Sequence, residues 1–89
     1  MAKKVYFVTA LSGADKVAEK LKEVASEDET FRLAADKWFV TFEGISQQLA
    51  EKLGIRGDPH VGTGLVFPVS SYSGRAPTTL WEWLKLKME

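Results

Sequence analysis

The fourteen residues TFRLAADKWFVTFE, from Thr30 to Glu43, decide the fold that the sequence predicts. Apolar and polar residues alternate on both sides of the polar pair Asp36-Lys37, a pattern typical of two short strands. A two-residue polar break between such strands predicts a tight turn and therefore an antiparallel hairpin. The faces of the second strand carry Trp38, Val40 and Phe42 on one side and Phe39 and Thr41 on the other.

A strand and a helix are predicted before the hairpin. Lys3 to Ala10 is short and rich in Val, Tyr, Phe and Thr, with apolar residues on both of its faces. A strand of that kind is usually central in its sheet or covered on both sides. Ser12 is expected to cap the following helix, whose inward stripe is Val17, Leu21, Val24 and Ala25.

A second helix and a last strand are predicted after the hairpin. Ser46 is expected to cap a short helix that buries Leu49, Ala50 and Leu53, and Gly54 is expected to end it in a left-handed conformation. The stretch Arg56 to Gly64 is the one clear loop, and Leu65 to Tyr72 is the last strand. Pro68 has no backbone N–H, which predicts that this strand lies at a sheet edge or carries a bulge.

The order β-α-β-β-α-β followed by a third helix predicts an α+β domain of the ferredoxin-like kind. We expect a four-stranded antiparallel sheet with two helices on one face, and a single domain over residues 1–89 to which residues 77–88 add a C-terminal helix. The predicted core comprises Val5, Phe7, Val17, Leu21, Leu33, Val40, Phe42, Leu49, Leu53, Leu65 and Phe67.

The C-terminal helix carries two tryptophans, and its apolar surface is too broad for one contact. A capping box from Thr79 to Glu82 predicts its start. At about 100° per residue, Trp81 shares an arc with Leu80, Leu84 and Met88, whereas Trp83 and Leu86 lie outside it. Both tryptophans then pack within one chain, or the helix covers its own sheet and meets a second chain through Trp83 and Leu86.

Composition limits the classes of function. Twelve basic and twelve acidic residues cancel, so the whole-chain charge gives no reason to bind nucleic acid. The chain has no cysteine and one histidine, which argues against a thiolate nucleophile and a zinc site, and we expect no metal and no cofactor. No apolar run approaches the roughly 20 residues that span a bilayer, so we expect a cytoplasmic protein without a membrane partner.

Two groups of residues are candidate binding sites. Arg75, with Ser73 close by, precedes the last helix and is a candidate for holding a phosphate or carboxylate near its N-terminus; a pair with an acid on its own chain is the alternative. Lys3, Lys4, Arg32 and Lys37 are candidates for a basic patch at strand ends, with aromatic residues close by in sequence, as on sheets that bind single-stranded RNA.

The loop from Arg56 to Gly64 holds three weaker candidates. His60 is a candidate general base, although a lone loop histidine is more often only solvated. Its glycines lack the strand, helix and Lys-Ser/Thr context of a phosphate-binding loop, so a flexible linker is the preferred interpretation. The Arg56-Gly57-Asp58 adhesion tripeptide is interpreted as chance.

Three stretches together resemble SinR-like and VapD-like small proteins, which are similar to the small CRISPR-associated endoribonuclease family. They are the strand Trp38 to Phe42, the helix that opens just after it, and the Gly74-Arg75-Ala76-Pro77 step into Leu80 to Leu84. The resemblance implies a ferredoxin-like homodimer and, for some relatives, metal-dependent nucleic-acid cleavage with an aspartate ending the first strand. That strand ends here in Thr9-Ala10-Leu11-Ser12, and this departure argues against nuclease activity.

The function that the sequence favours is a non-enzymatic, homodimeric, ferredoxin-like module that binds nucleic acid or another protein. A metal-dependent ribonuclease is the first alternative. A small-molecule regulatory module is the second, with the loop Gly57 to Gly64 contacting the ligand.

Overall fold

The computed structural model describes residues 3–57 and 60–88 and has a mixed α+β fold. The elements in chain order are β1 (Lys4–Ser12), α1 (Ala14–Val24), a short 3-10 helix (Glu27–Glu29), β2 (Thr30–Ala34), β3 (Lys37–Phe42), α2 (Ser46–Lys52), β4 (Thr63–Pro68) and α3 (Thr78–Met88). The four strands and three α-helices that the sequence predicts are therefore all present and in the predicted order. No helix in these two ranges is long and apolar enough to cross a membrane.

The four strands form one antiparallel sheet in the order β2-β3-β1-β4. The apolar strands β1 and β3 lie in the centre, as their two apolar faces predict. β4 lies at an edge, which agrees with the position of Pro68 at its end, opposite Tyr6.

The larger buried cluster lies between the sheet and the two helices α1 and α2. No member exposes more than 4% of its surface; the members are Tyr6, Val8, Ala10, Val17, Leu21, Trp38, Val40, Leu49 and Leu53. The inward stripe predicted for α1 is confirmed at Val17 and Leu21. Tyr6, Val8 and Trp38 belong to the core but were absent from the predicted set, because alternation identifies two faces without saying which one the helices cover.

A smaller cluster lies on the opposite face of the sheet, under α3. Val5, Leu80 and Leu84 are buried there, at 3% exposure or less. The partly buried residues around them include Phe31, Leu33, Phe39, Trp81 and Trp83. The C-terminal helix therefore covers the second sheet face, while its first helical residue is Thr78, so Thr79 lies inside the helix and is not its cap.

Ser12 belongs to β1, and the prediction that it caps α1 is wrong. Its hydroxyl bonds to Thr63 of β4, at 2.8 Å from Oγ1 and 3.1 Å from the backbone N. Gly13 takes the cap position in a left-handed conformation, with φ 67°. A Cβ at Gly13 would lie 2.5 Å from the carbonyl oxygen of Val61, so the turn requires a glycine for its space as well as its φ.

Two other boundaries differ by one residue from the predictions. The hairpin turn is Ala35-Asp36, and Lys37 already belongs to β3. Ser46 is the first residue of α2, so Ile45 occupies its cap position, and the Gln48 side chain accepts a hydrogen bond from the Ile45 N–H at 3.1 Å. The left-handed glycine predicted after α2 is confirmed, since Gly54 has φ 76°.

Candidate interaction surface

A row of four phenylalanines crosses the sheet on the α3 face. Phe31 of β2 pairs with Phe39 of β3, Phe39 with Phe7 of β1, and Phe7 with Phe67 of β4. The rings of Phe7 and Phe39 lie 5.1 Å apart, centroid to centroid. Side chains at directly paired positions face the same side of a sheet, so the row forms one continuous aromatic strip.

Helix α3 covers the β2 end of this strip. The Trp83 ring lies 6.1 Å from the Phe31 ring, and its Nε1–H donates a hydrogen bond to the carbonyl oxygen of Asp28 at 3.2 Å. This contact gives Trp83 a role within its own chain. The interface role predicted for Trp83 and Leu86 stays a prediction; of the two, Leu86 exposes 72% of its surface.

The β4 end of the strip is open. Phe67 is 48% exposed and Leu65, two residues earlier on the same face, is 47% exposed. The prediction that both belong to the core is wrong, because α3 lies over β1 and β2 and leaves β4 uncovered. Leu11, at the irregularity where the β1–β4 register shifts, is 69% exposed. We call Phe67 and Leu65 the open patch.

The open patch was recognisable in sequence only in part. Pro68 predicts an edge strand, and the alternation of Leu65 and Phe67 places them on one face. The pattern within β4 does not show how much of the sheet face the last helix covers. Its 11 residues extend about 16 Å, and a single helix of that size covers only part of a four-stranded sheet face.

A carboxylate fixes the far end of α3. Glu29 accepts a hydrogen bond from the hydroxyl of Thr41, and its Oε1 lies 3.5 Å from Lys87 Nζ and 3.9 Å from Lys3 Nζ. The side chains of Glu29 and Lys87 are only 21% and 17% exposed, so solvent screens this pair less than a surface pair. Together with Trp83, this contact holds α3 at the β2 side of the sheet.

The beginning of α3 is held by a second aromatic contact. The rings of Tyr72 and Trp81 stack with centroids 5.5 Å apart and an interplanar angle of 16°. The connecting segment between β4 and α3 is otherwise mostly exposed, including Ser73 and Arg75. These two predicted binding residues thus lie on the surface before α3, and their anion-binding role stays a prediction.

The predicted basic patch is divided between the two ends of the sheet. Lys4 lies opposite Phe42, whereas Lys37 lies opposite Thr9, five residues or about 16 Å further along β1. Lys3 is near Glu29, and Lys37 Nζ lies 3.0 Å from its neighbour Asp36. Arg32 lies across the sheet from the open patch, on the α1 side, because it pairs with the buried Trp38.

The loop before β4 is packed by its backbone. A Cβ at Gly62 would overlap the carbonyl oxygen of Ser12, and one at Gly64 would lie 2.5 Å from the carbonyl oxygen of Thr9. These glycines serve close backbone approach, so the flexible-linker interpretation is wrong for them. His60 is exposed in this loop, and Asp58 of the adhesion tripeptide lies outside the described residues.

Local hydrogen bonds lower the pKa of two carboxyl groups, those of Asp28 and Asp36. The Ser26 hydroxyl donates a 2.7 Å hydrogen bond to Asp28 and lowers the pKa of that carboxyl group. The Lys37 ammonium does the same to the pKa of Asp36. Within residues 3–57 and 60–88, no three His, Asp or Glu side chains are grouped so that they could hold a metal ion.

Comparison with known proteins finds no family model and no curated protein that matches the sequence. Function is therefore inferred from the second sheet face, which α3 covers over β1 and β2 and leaves open at β4.

Proposed function

We propose that the chain is a non-enzymatic, ferredoxin-like interaction module that acts as a homodimer, with a second copy covering the open patch. The observation that carries the proposal is the phenylalanine row, which is covered by Trp83 at Phe31 and is 48% exposed at Phe67. Association would bury the apolar surface that the single chain leaves in water, and burial of apolar surface drives most protein association.

The sheet order supports the ferredoxin-like part of the proposal. In a β-α-β-β-α-β chain of this kind, each helix crosses over a central strand, which separates β1 from β2 and β3 from β4. The order β2-β3-β1-β4 agrees with that arrangement, as does the packing of α1 and α2 on one face.

A second copy is the favoured occupant because the open patch lies on an edge strand. β4 pairs with β1 on one side only, so backbone groups on its other side remain available for contact across a two-fold axis. A two-fold interface uses the same patch on both chains, and an aromatic-aliphatic patch is self-complementary without any pairing of charges. Aromatic anchors that become buried on association, as Phe67 would, commonly dominate the binding energy of interfaces.

The test is sedimentation of matched variants over a concentration series. Phe67→Ser should shift the chain from dimer to monomer and weaken association by about tenfold or more, as the loss of an interface anchor does. Leu86→Ser is the matched control, because it removes another large exposed apolar side chain from a different surface. A wild-type chain that stays monomeric at high concentration contradicts the proposal, and so does a Phe67→Ser variant that remains dimeric.

The Leu86→Ser variant also tests the interface predicted from the C-terminal helix. If the chain dimerises through Trp83 and Leu86, this variant alone should dissociate. The two surfaces are therefore distinguished by the same experiment.

Nucleic-acid binding is a second candidate function, favoured by the exposed end of the phenylalanine row. Aromatic side chains on a sheet surface stack on the bases of single strands. Titration with labelled single-stranded RNA and DNA tests it: Phe67→Ala should weaken binding by about 1–3 kcal/mol if a base stacks on this ring. Replacing Lys3, Lys4 and Arg32 together should flatten the salt dependence of any electrostatic binding.

A further inference from the structure

A groove of about 630 Å³ lies on the other side of the sheet, between α1 and β2. Its volume falls within the range of sites for small molecules, roughly 300–1,000 Å³. The residues that line it come from α1, the turn after it, β2 and β3; they are Ala18, Leu21, Lys22, Ala25, Ser26, Glu27, Thr30, Arg32 and Trp38.

The groove has an apolar base. Ala18 and Ala25 are small and partly buried, so the helix surface recedes beside the larger Leu21. Trp38 is 2% exposed, and the guanidinium group of Arg32 lies over its ring, 5.5 Å from the ring centroid. An apolar body of one or two rings would contact these methyl groups and methylene chains.

Arg32 is held in place by its own strand and turn. Its Nε–H donates to the carbonyl oxygen of Ala34 at 3.3 Å, and its Nη2 donates to the carbonyl oxygen of Ala35 at 2.8 Å. These two bonds and the Trp38 ring fix the plane of the guanidinium group. Of its five N–H donors, three form no hydrogen bond with the residues that the structure describes and remain for an acceptor on a ligand. The planar group of Arg suits carboxylate and phosphate oxygens particularly well.

The charges around the groove favour an anion. Among the described residues that line it, two are cationic, Lys22 and Arg32, and one is a carboxylate, Glu27. Neither cation forms an ion pair with a carboxylate in the parts of the chain that the structure describes. A ligand with one negative group would therefore meet the guanidinium group of Arg32, held by its two hydrogen bonds, and the ammonium group of the exposed Lys22.

We propose that this groove binds a small amphipathic anion, with an aromatic or apolar body against Ala18, Leu21 and Ala25. The carboxylate, sulfonate or phosphate group of the ligand lies between Arg32 and Lys22. The site is separate from the open patch and does not depend on the homodimer.

Two fluorescent probes with the same aromatic rings test the proposal. Anilinonaphthalene sulfonate carries the negative group, and phenylnaphthylamine lacks it. The sulfonate should bind one site per chain, about tenfold tighter than the neutral compound, because charge-assisted hydrogen bonds hold its anionic group. Equal affinities, or no saturable binding of the sulfonate, overturn the proposal.

Four variants assign the site. Arg32→Gln should weaken sulfonate binding by about tenfold, and Lys22→Gln by about threefold, since Arg32 alone is positioned for a bidentate contact. Ala18→Phe should fill the groove and remove binding of both probes. Phe67→Ser is the control and should leave the affinity within about twofold, because the open patch lies on the other face.

Circular dichroism establishes that each variant is folded. If Arg32→Gln does not fold, Lys22→Gln and the neutral probe still decide the outcome, because Lys22 is an exposed helix residue. Sulfonate binding that survives Ala18→Phe and Lys22→Gln but is lost in Phe67→Ser would assign the probe to the open patch and refute the groove.

Discussion

The two faces of the sheet differ in how completely one chain covers them. On the α1–α2 face, Val8, Val17, Val40, Leu49 and Leu53 have no exposed surface. On the α3 face, Leu84 is equally buried, yet Phe67 on the same face is 48% exposed. Two helices close the first face, whereas one helix of 11 residues lies over β1 and β2 on the second and leaves β4 uncovered.

The difference separates the parts of the molecule that hold it together from the part that is available to a partner. Residues of the core on the α1–α2 face should affect the free energy of unfolding, since their side chains are already buried within the single chain. Residues of the open patch should affect association, since they lose little contact when truncated in a single chain.

The largest expected effect is on the closed face. Leu21→Ala should lower the free energy of unfolding by about 2–5 kcal/mol, because it removes a buried side chain and leaves a cavity. Leu65→Ala is the matched change on the open patch, and about 1 kcal/mol or less is expected for the isolated chain. Denaturant unfolding at low protein concentration measures both. Similar losses for the two variants would show that the faces do not differ as described.

A smaller loss of stability is expected when the contacts of Trp83, which hold α3 against β2, are weakened. Trp83→Phe keeps a ring against Phe31 but removes the hydrogen bond to Asp28, which should cost about 0.5–1.5 kcal/mol. Thermal melts measure the loss, and hydrogen exchange of the α3 amides should rise with it.

Leu86→Phe is the control for that experiment. It changes an exposed apolar residue of the same helix and leaves the hydrogen bond between Trp83 and Asp28 in place. Faster exchange in α3 for the control, or unchanged exchange for Trp83→Phe, would contradict the role given to this hydrogen bond.

The smallest expected effect is on the pH dependence of thermal stability. The Ser26 hydroxyl lowers the pKa of Asp28, so the folded state favours the ionised carboxylate. This contribution is complete above the usual aspartate pKa of about 4 and is lost as the pH falls through the lower folded pKa. Ser26→Ala should therefore melt slightly below wild type at pH 7, and the difference should shrink as the pH falls below about 4. Ser70→Ala, at another exposed serine, should show no difference that depends on pH. A Ser26→Ala difference that persists in acid would assign the effect to something other than Asp28.

The sequence predicts the elements better than their environment. Periodicity identifies the strands and helices because each repeats its apolar residues over several positions, and Val17 and Leu21 are buried as the helical stripe requires. Leu65 and Phe67 alternate as a core strand would, yet they are exposed because coverage depends on how far α3 reaches. Ser12 has the right chemistry for a cap, but its hydroxyl bonds to Thr63, 51 residues away. Such long-range contacts have no local signal.

The same contrast holds for the candidate sites: the residue types are visible in the sequence, whereas their neighbours depend on the fold. Arg32 was predicted as a binding residue from its charge, but its position over Trp38 depends on strand pairing across the hairpin. Lys22 and Ala18 gave no signal in sequence, and Ala25 was predicted only as part of the inward stripe of α1. The structure brings them together with Arg32 only through the packing of α1 beside β2.

The backbone contact between the β1–α1 turn and the loop before β4 has a consequence for recognising relatives by sequence. Neither Gly13 nor Gly62 has room for a side chain, since each Cβ would meet a carbonyl oxygen of the other segment. A substitution at one position is not relieved by a change at the other, because both obstacles are backbone atoms. Homologues that keep this backbone contact should therefore keep glycine at both positions, even where the residues of the open patch and the groove have diverged. A search that requires this pair, between a first strand and a last strand, would find distant members by backbone geometry where side chains no longer match.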